Sequence, residues 1–243
     1  YQTIVKSEGN VYSVTRPDPM PSVQETYVDS NAGFILLNVK KPTITVHPIE
    51  NPNNVLHAVA VTCTSLVMPK HFFKDSKIGD KFMIKVNSVE HVWTFEELTH
   101  WNQPGRDVCW MFVPTLTNVA NPELETMLTK AEPPIGRCTL GEVKVEEPRL
   151  VMEKESHLYY VYDTYSTNGY CGLPLRDCHG RFLGFHVGYS KHMPNDKYAE
   201  PITREDFKLF NAVLDERNLS TYAFTSIVPE SVVPYLKNPG MHP

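Results

Sequence analysis

NGYCGLPL, residues 168–175, sets a cysteine between glycines at the mouth of a short apolar stretch, after a polar loop. Gly169 and Gly172 permit a backbone turn tight enough to aim the Gly169, Tyr170 and Cys171 amides at one point, which is what an oxyanion-binding turn requires. Taken alone, the stretch is equally a hairpin holding a buried thiol. A nucleophile also needs a base, and the rest of the chain is read for one.

LVMPKHFF, residues 66–73, puts His71 just past the end of a long apolar run, where a rigid scaffold can present an imidazole to a cleft. By itself it reads more readily as an ordinary loop histidine. GRDVCWMFVP, residues 105–114, starts a buried-type strand with Asp107, which is either a turn residue capping the strand or an acid that orients a histidine. The three together carry more weight, because His, Asp, then a nucleophile within Gly-x-Cys-Gly is the chain order of a chymotrypsin-type triad.

Around these positions the sequence reads as strands joined by turns. The chain has 243 residues, 41% hydrophobic and 21% charged, with 20 prolines against 12 glycines and 11% aromatics, a balance that favours β structure over a helical bundle. LHAVAVTCTSLVMP (56–69) reads as one long strand, and about five strands are expected before residue 115. Residues 1–32 read as an irregular arm, 33–115 as a first β unit, 116–136 as a connection and 137–200 as a second β unit. In the second unit DCHG (177–180) forms a hairpin turn, with Gly180 free to take positive φ. TREDFKLFNAVLDERN (203–218) switches to helical periodicity, with Thr203 as N-cap and Asp206 three residues on. It opens a C-terminal helix and tail, 201–243.

A net charge of −5 without a dense Lys/Arg stripe argues against a dedicated nucleic-acid binder. No run approaches the roughly 18 apolar residues that a membrane-spanning helix needs. Five cysteines, Cys63, Cys109, Cys138, Cys171 and Cys178, do not space themselves as a disulfide framework and point to a reducing compartment. Cys171, Cys178, His179 and His186 offer a rival zinc set, but their spacing is wide and a ligand has no need of the glycines around Cys171. No metal or cofactor is expected. The start at Tyr1 rather than Met fits either an arbitrary choice of start or a piece cut from something longer, and it allows a polyprotein origin without showing one.

MPKHFF, RDVCWMFVP, GYCGLPL and GFHVG (184–188) stand in an order that resembles the 3C and 3C-like cysteine proteases of picornaviruses and related positive-strand RNA viruses, over roughly residues 33–190. The resemblance implies an all-β fold of two chymotrypsin-like six-stranded antiparallel barrels, with the active site between them and a helix at the C-terminus. It implies a polyprotein-processing cysteine endopeptidase that uses His71, Asp107 and Cys171, with Glu90 as the reserve acid. His186 would floor the S1 pocket and donate a hydrogen bond to a P1 glutamine, or secondarily a glutamate. Tyr162 would hold that histidine and Ser166 would add a donor. The implied partners are the viral polyprotein and, as further candidates, host proteins, in the cytoplasm of a host cell. The family's basic RNA-binding stretch falls where this chain reads NPELETMLTK, so RNA binding is not carried over. The competing expectation is a protease-fold module that binds peptide or RNA with weak or no activity.

Overall fold

Alternation in KFMIKV and the continuous apolar run of VCWMFV call for strands that bury one face and both faces respectively. The computed structural model describes residues 2–7, 10–15, 22–24, 44–116, 130–134, 136–146, 148–153, 157–164, 170–190 and 193–219. Three strands open the chain where an irregular arm was expected: a hairpin of β1 (Gln2–Ser7) and β2 (Asn10–Thr15), then β3 (Ser22–Gln24). Residues 33–43, where the first β unit was expected to begin, lie outside the described residues, as do 117–129 of the connection and 220–243 of the tail.

The first sheet is built from β4 (Ile44–Pro48), β5 (Leu56–Ala60), β6 (Ser65–Met68), β7 (Lys81–Val86), β8 (Val89–Thr94), β9 (His100–Asn102) and β10 (Cys109–Phe112). They lie in the order β8-β7-β4-β5-β6-β10-β9, every pairing antiparallel. The apolar run 56–69 is therefore two strands, not one. The amide of Val61 donates to the Ser65 carbonyl at 2.9 Å, and the Thr62 hydroxyl accepts from the Ser65 amide at 3.0 Å. This turn escapes a sequence reading because it is itself buried, with Cys63, Thr64 and Ser65 at most 1% exposed, and contains neither glycine nor proline.

The second sheet contains β11 (Cys138–Leu140), β12 (Val143–Val145), β13 (Arg149–Glu153), β14 (His157–Asp163), β15 (Pro174–Arg176), β16 (Phe182–Ser190) and β17 (Asp196–Pro201). Their order is β12-β11-β15-β16-β17-β14-β13, and β3 adds to β16. Each sheet thus has seven strands on its main path where six were expected; the short edge pieces β9 and β12 are only three residues long. The hairpin β1–β2 lies beside β13. DCHG makes the expected β15–β16 turn, with Gly180 at φ 80°.

Helix α1 (Arg204–Glu216) starts from the predicted cap: Thr203 and Asp206 form a reciprocal capping box. Phe207, Phe210 and Leu214 are buried, and Val213 is only partly so. The helix closes the seam between the two sheets. Phe210 stacks on Trp110 at 5.0 Å and on Trp101 at 6.4 Å, while Phe207 and Leu214 join Phe182, Phe185 and Tyr198 in one apolar cluster. Each sheet also encloses its own core, and Cys171 of the second half packs into the core of the first.

Candidate active site

A proline that cannot donate and two large aromatics fix the histidine. Pro69 ends β6, and Lys70–Phe73 makes one 3-10 turn in which His71 is buried with Phe72 and Phe73. Phe72 and Phe73 lock into an aromatic cluster with Phe82, Trp93 and Phe95, at ring distances of 5.0–5.9 Å. The side chain that precedes them therefore has a fixed origin.

Asp107 precedes β10 and holds His71 twice. Its Oδ1 accepts the His71 backbone amide at 2.9 Å and its Oδ2 lies 2.7 Å from the ring Nδ1. A carboxylate only accepts, so Nδ1 carries the proton and donates, leaving the Nε2 lone pair on the opposite side of the ring. There Cys171 Sγ stands 3.4 Å away. Thiol, imidazole and carboxylate form one line, built from β6, β10 and the turn before β15. Glu90, the reserve acid, stands instead on the edge strand β8, exposed and 4.0 Å from Lys85; the His71 position it would have filled belongs to Asp107.

The nucleophile turn is closed by backbone. Leu173 N donates to Tyr170 O at 2.9 Å, Gly172 N to His186 O at 2.8 Å, and His57 N of β5 to Cys171 O at 3.0 Å. Gly172 adopts φ +88°, and a Cβ there would sit 1.9 Å from the carbonyl oxygen of His57. Glycine after the cysteine is thus required twice, by dihedral and by space. Of the three amides expected at the oxyanion position, Gly169 lies outside the described residues, while Tyr170 and Cys171 form the first half of this turn.

Strand β16 brings His186 beside the turn. The residue is fully buried, its Nδ1 lies 2.7 Å from the hydroxyl of Tyr162 on β14, and its amide donates to Leu173 O at 2.9 Å. Ser166 lies outside the described residues. The four zinc candidates do not gather: Cys178 is exposed on its hairpin while Cys171 and His186 are buried, and among the described residues no group of three or more His, Cys, Asp or Glu could hold a metal. No described helix is long and apolar enough to cross a membrane.

One part of the site has no counterpart in the sequence reading. Arg106, next to Asp107, reaches across to the second half, where its guanidinium pairs with Glu200 and with the Pro201 carbonyl and lies 3.3 Å from Asp206 of α1. Gln103 donates to the same Asp206 oxygen at 2.7 Å and accepts from the Trp110 indole at 3.1 Å. The partners lie about a hundred residues apart in the chain, and local pattern carries no signal of such a pairing.

No protein-family model matches the sequence, and no curated protein matches it. Solved structures do. The chain superposes on tobacco vein mottling virus protease with a TM-score of 0.51 at 13% identity, covering 71% of this chain and 82% of that one. It matches catalytically active tobacco etch virus protease complexed with product at 0.51 and 14%, over 71% and 77% of the two chains, and the active form of the Rv3671c protease from M. tuberculosis at 0.50 and 16%, over 86% and 92%. The chain has a chymotrypsin-like fold. In this fold the two β units meet along the line of His71, Asp107 and Cys171, and α1 covers the seam beside Arg106.

Proposed function

We propose that the chain is a cysteine endopeptidase of viral polyprotein-processing type, cleaving after glutamine and secondarily after glutamate. One observation carries the reading: Cys171 Sγ, His71 and Asp107 stand in hydrogen-bonding sequence at 3.4 and 2.7 Å. Nε2 of His71 takes the thiol proton, and the thiolate attacks the carbonyl carbon of the scissile bond. The Tyr170 and Cys171 amides, with Gly169, stabilise the oxyanion. As the tetrahedral intermediate collapses, His71 returns its proton to the leaving amine, and a thioester remains on Cys171. Water, deprotonated by the same imidazole, then releases the acid and the thiol. Asp107 fixes the ring and its tautomer and stabilises the imidazolium.

Specificity is assigned to His186. If the Tyr162 hydroxyl donates to Nδ1, the imidazole is neutral and carries its proton on Nε2, a donor suited to the side-chain carbonyl of glutamine. Ser166 supplies a further donor. Substrates on this reading are the viral polyprotein and host proteins in the host cytoplasm, consistent with two of the similar structures being plant-virus proteases. A peptide library varied at P1 tests it. Turnover that prefers Gln, then Glu, and is absent from Cys171→Ala is the expected result; preference for Leu, Arg or Ala, or activity surviving in Cys171→Ala, overturns it. No turnover of any peptide would favour the binding-module reading.

A further inference from the structure

Two cavities flank the 3-10 turn that carries His71, and they differ in charge. One, of about 620 Å³, is lined from the first half alone, with Glu50, Asp75 and Asp80 set against Lys74 and Lys81. The other, of about 550 Å³, lies at the seam between the halves. It takes Lys70, Lys74, Arg106 and Asp107 from the first half and His157 and Tyr159 of β14 from the second, with His71 among them. Histidines apart, three cations and one carboxylate line it.

Most of these charges are already committed. Asp107 holds the amide and Nδ1 of His71 with its two oxygens. The Arg106 guanidinium is bound to Glu200, Asp206 and the Pro201 carbonyl, and those two carboxylates offset its charge. His157 Nε2 lies 3.2 Å from Glu200 as well. Lys70 and Lys74 have no ion pair among the described residues. One opens the 3-10 turn and the other follows it, so both ammonium groups are carried beside the general base. Lys70 is half-buried and Lys74 exposed.

Strand geometry says which part of a peptide meets them. Successive side chains of an extended peptide point to opposite sides. With a P1 glutamine directed to His186 in the second half, the P2 side chain turns towards the first half, where His71 stands. The seam cavity borders both, because β14 carries Tyr162, the partner of His186, together with His157 and Tyr159.

We propose that this cavity receives the P2 side chain and selects aspartate or glutamate there, with Lys70 and Lys74 as the residues that read the carboxylate. The proposal deepens the endopeptidase reading and rests on it. An acidic side chain meets two unpaired cations, whereas its amide isostere offers them only a neutral acceptor. Both lysines keep contact with water, so the discrimination is modest and sensitive to salt.

Peptides with Gln at P1 and Glu, Gln, Asp, Asn, Leu or Lys at P2 test this on the full chain. The expected kcat/KM for Glu exceeds that for Gln about tenfold, and Asp exceeds Asn likewise, with both ratios falling as salt rises from about 0.02 to 0.5 M. Lys70→Glu combined with Lys74→Glu should invert the order, so that Lys at P2 outruns Glu. Lys74→Gln alone, a neutral change at an exposed site, should lower the Glu-to-Gln ratio part of the way. Equal wild-type rates for Glu and Gln, a preference for Leu, an acid preference found at P1′ instead, or a ratio that Lys74→Gln leaves unchanged overturns the assignment and leaves the endopeptidase standing. No turnover of any peptide overturns both.

Discussion

At His71 two contacts from one carboxylate fix both the backbone and the ring, so Asp107→Asn removes an acceptor and unsettles the tautomer without displacing the turn that Phe72 and Phe73 anchor. A thiol ionises more readily than a hydroxyl and leans less on the acid. Asp107→Asn is therefore expected to lower kcat by less than His71→Ala, whose loss as general base costs about 10²–10⁴-fold; steady-state rates on a Gln peptide measure the difference. The other thiols differ in reach. Burial pushes Cys63 up to about 11 and raises Cys109 as well, whereas Cys178 is exposed. Iodoacetamide at pH 8 should label Cys178 and spare Cys63 and Cys109 in a peptide map, and Cys178→Ser should keep full activity. His47 on β4 supplies a pH dependence: burial, then the charge of Lys85, hold its pKa below 6.5. Between that lowered value and 6.5 the unfolded chain binds more protons, so the His47 contribution is present above 6.5 and is lost as pH falls. Denaturant midpoints should drop on acidification below pH 6.5, and less steeply in His47→Phe.

The elements legible in the sequence are those whose signals are local. HLYYVYD, the DCHG turn, the Thr203 capping box and the glycine after Cys171 all declare themselves within a few residues, whereas His71, Asp107 and Cys171 each have an ordinary local reading and stand out only by their order along the chain. The strands that were missed are short or ambiguous. HWN is three residues long, and DKYAEP owes its strand to pairing with both β14 and β16 rather than to alternation. The arm 1–32 shows no period, since β3 is held by its partner's edge and by no pattern of its own. Gly172 tests the element where local and tertiary demands coincide. In Gly172→Ala the new methyl meets the His57 carbonyl in a backbone conformation that alanine resists. The turn must move, and with it the Cys171–His71 contact. The expected outcome is loss of turnover with a folded protein destabilised by about 1–3 kcal/mol, read from chemical denaturation.

The two halves of the molecule contribute different members of the Cys171–His71–Asp107 line, so their relative placement sets its geometry. Arg106 ties the loop bearing Asp107 to Glu200, fully buried at the end of β17, and to Asp206 at the start of α1. Burial disfavours the guanidinium charge, but the two carboxylates outweigh it and raise its pKa, so the cation is the bound form. Asp206 also caps the helix through Thr203 and accepts from Gln103, which in turn holds the Trp110 indole. One side chain thus joins both sheets and the helix at the residue beside the acid. Arg106→Ala would take the guanidinium from buried Glu200 and Asp206, leaving them only the His157 ring at 3.2 Å and the Gln103 and Thr203 hydrogen bonds respectively, at a cost of about 3–5 kcal/mol. Arg106→Lys keeps the charge but cannot reproduce a planar fork reaching Glu200, Asp206 and the Pro201 carbonyl together. It should recover part of the stability and less of the activity, because a compact ammonium restores charge balance without restoring the loop geometry at Asp107. Denaturation midpoints and kcat measured on the same two variants decide this: equal recovery of both would make Arg106 a purely structural tie, and recovery of stability alone marks it as a positioning residue for the acid.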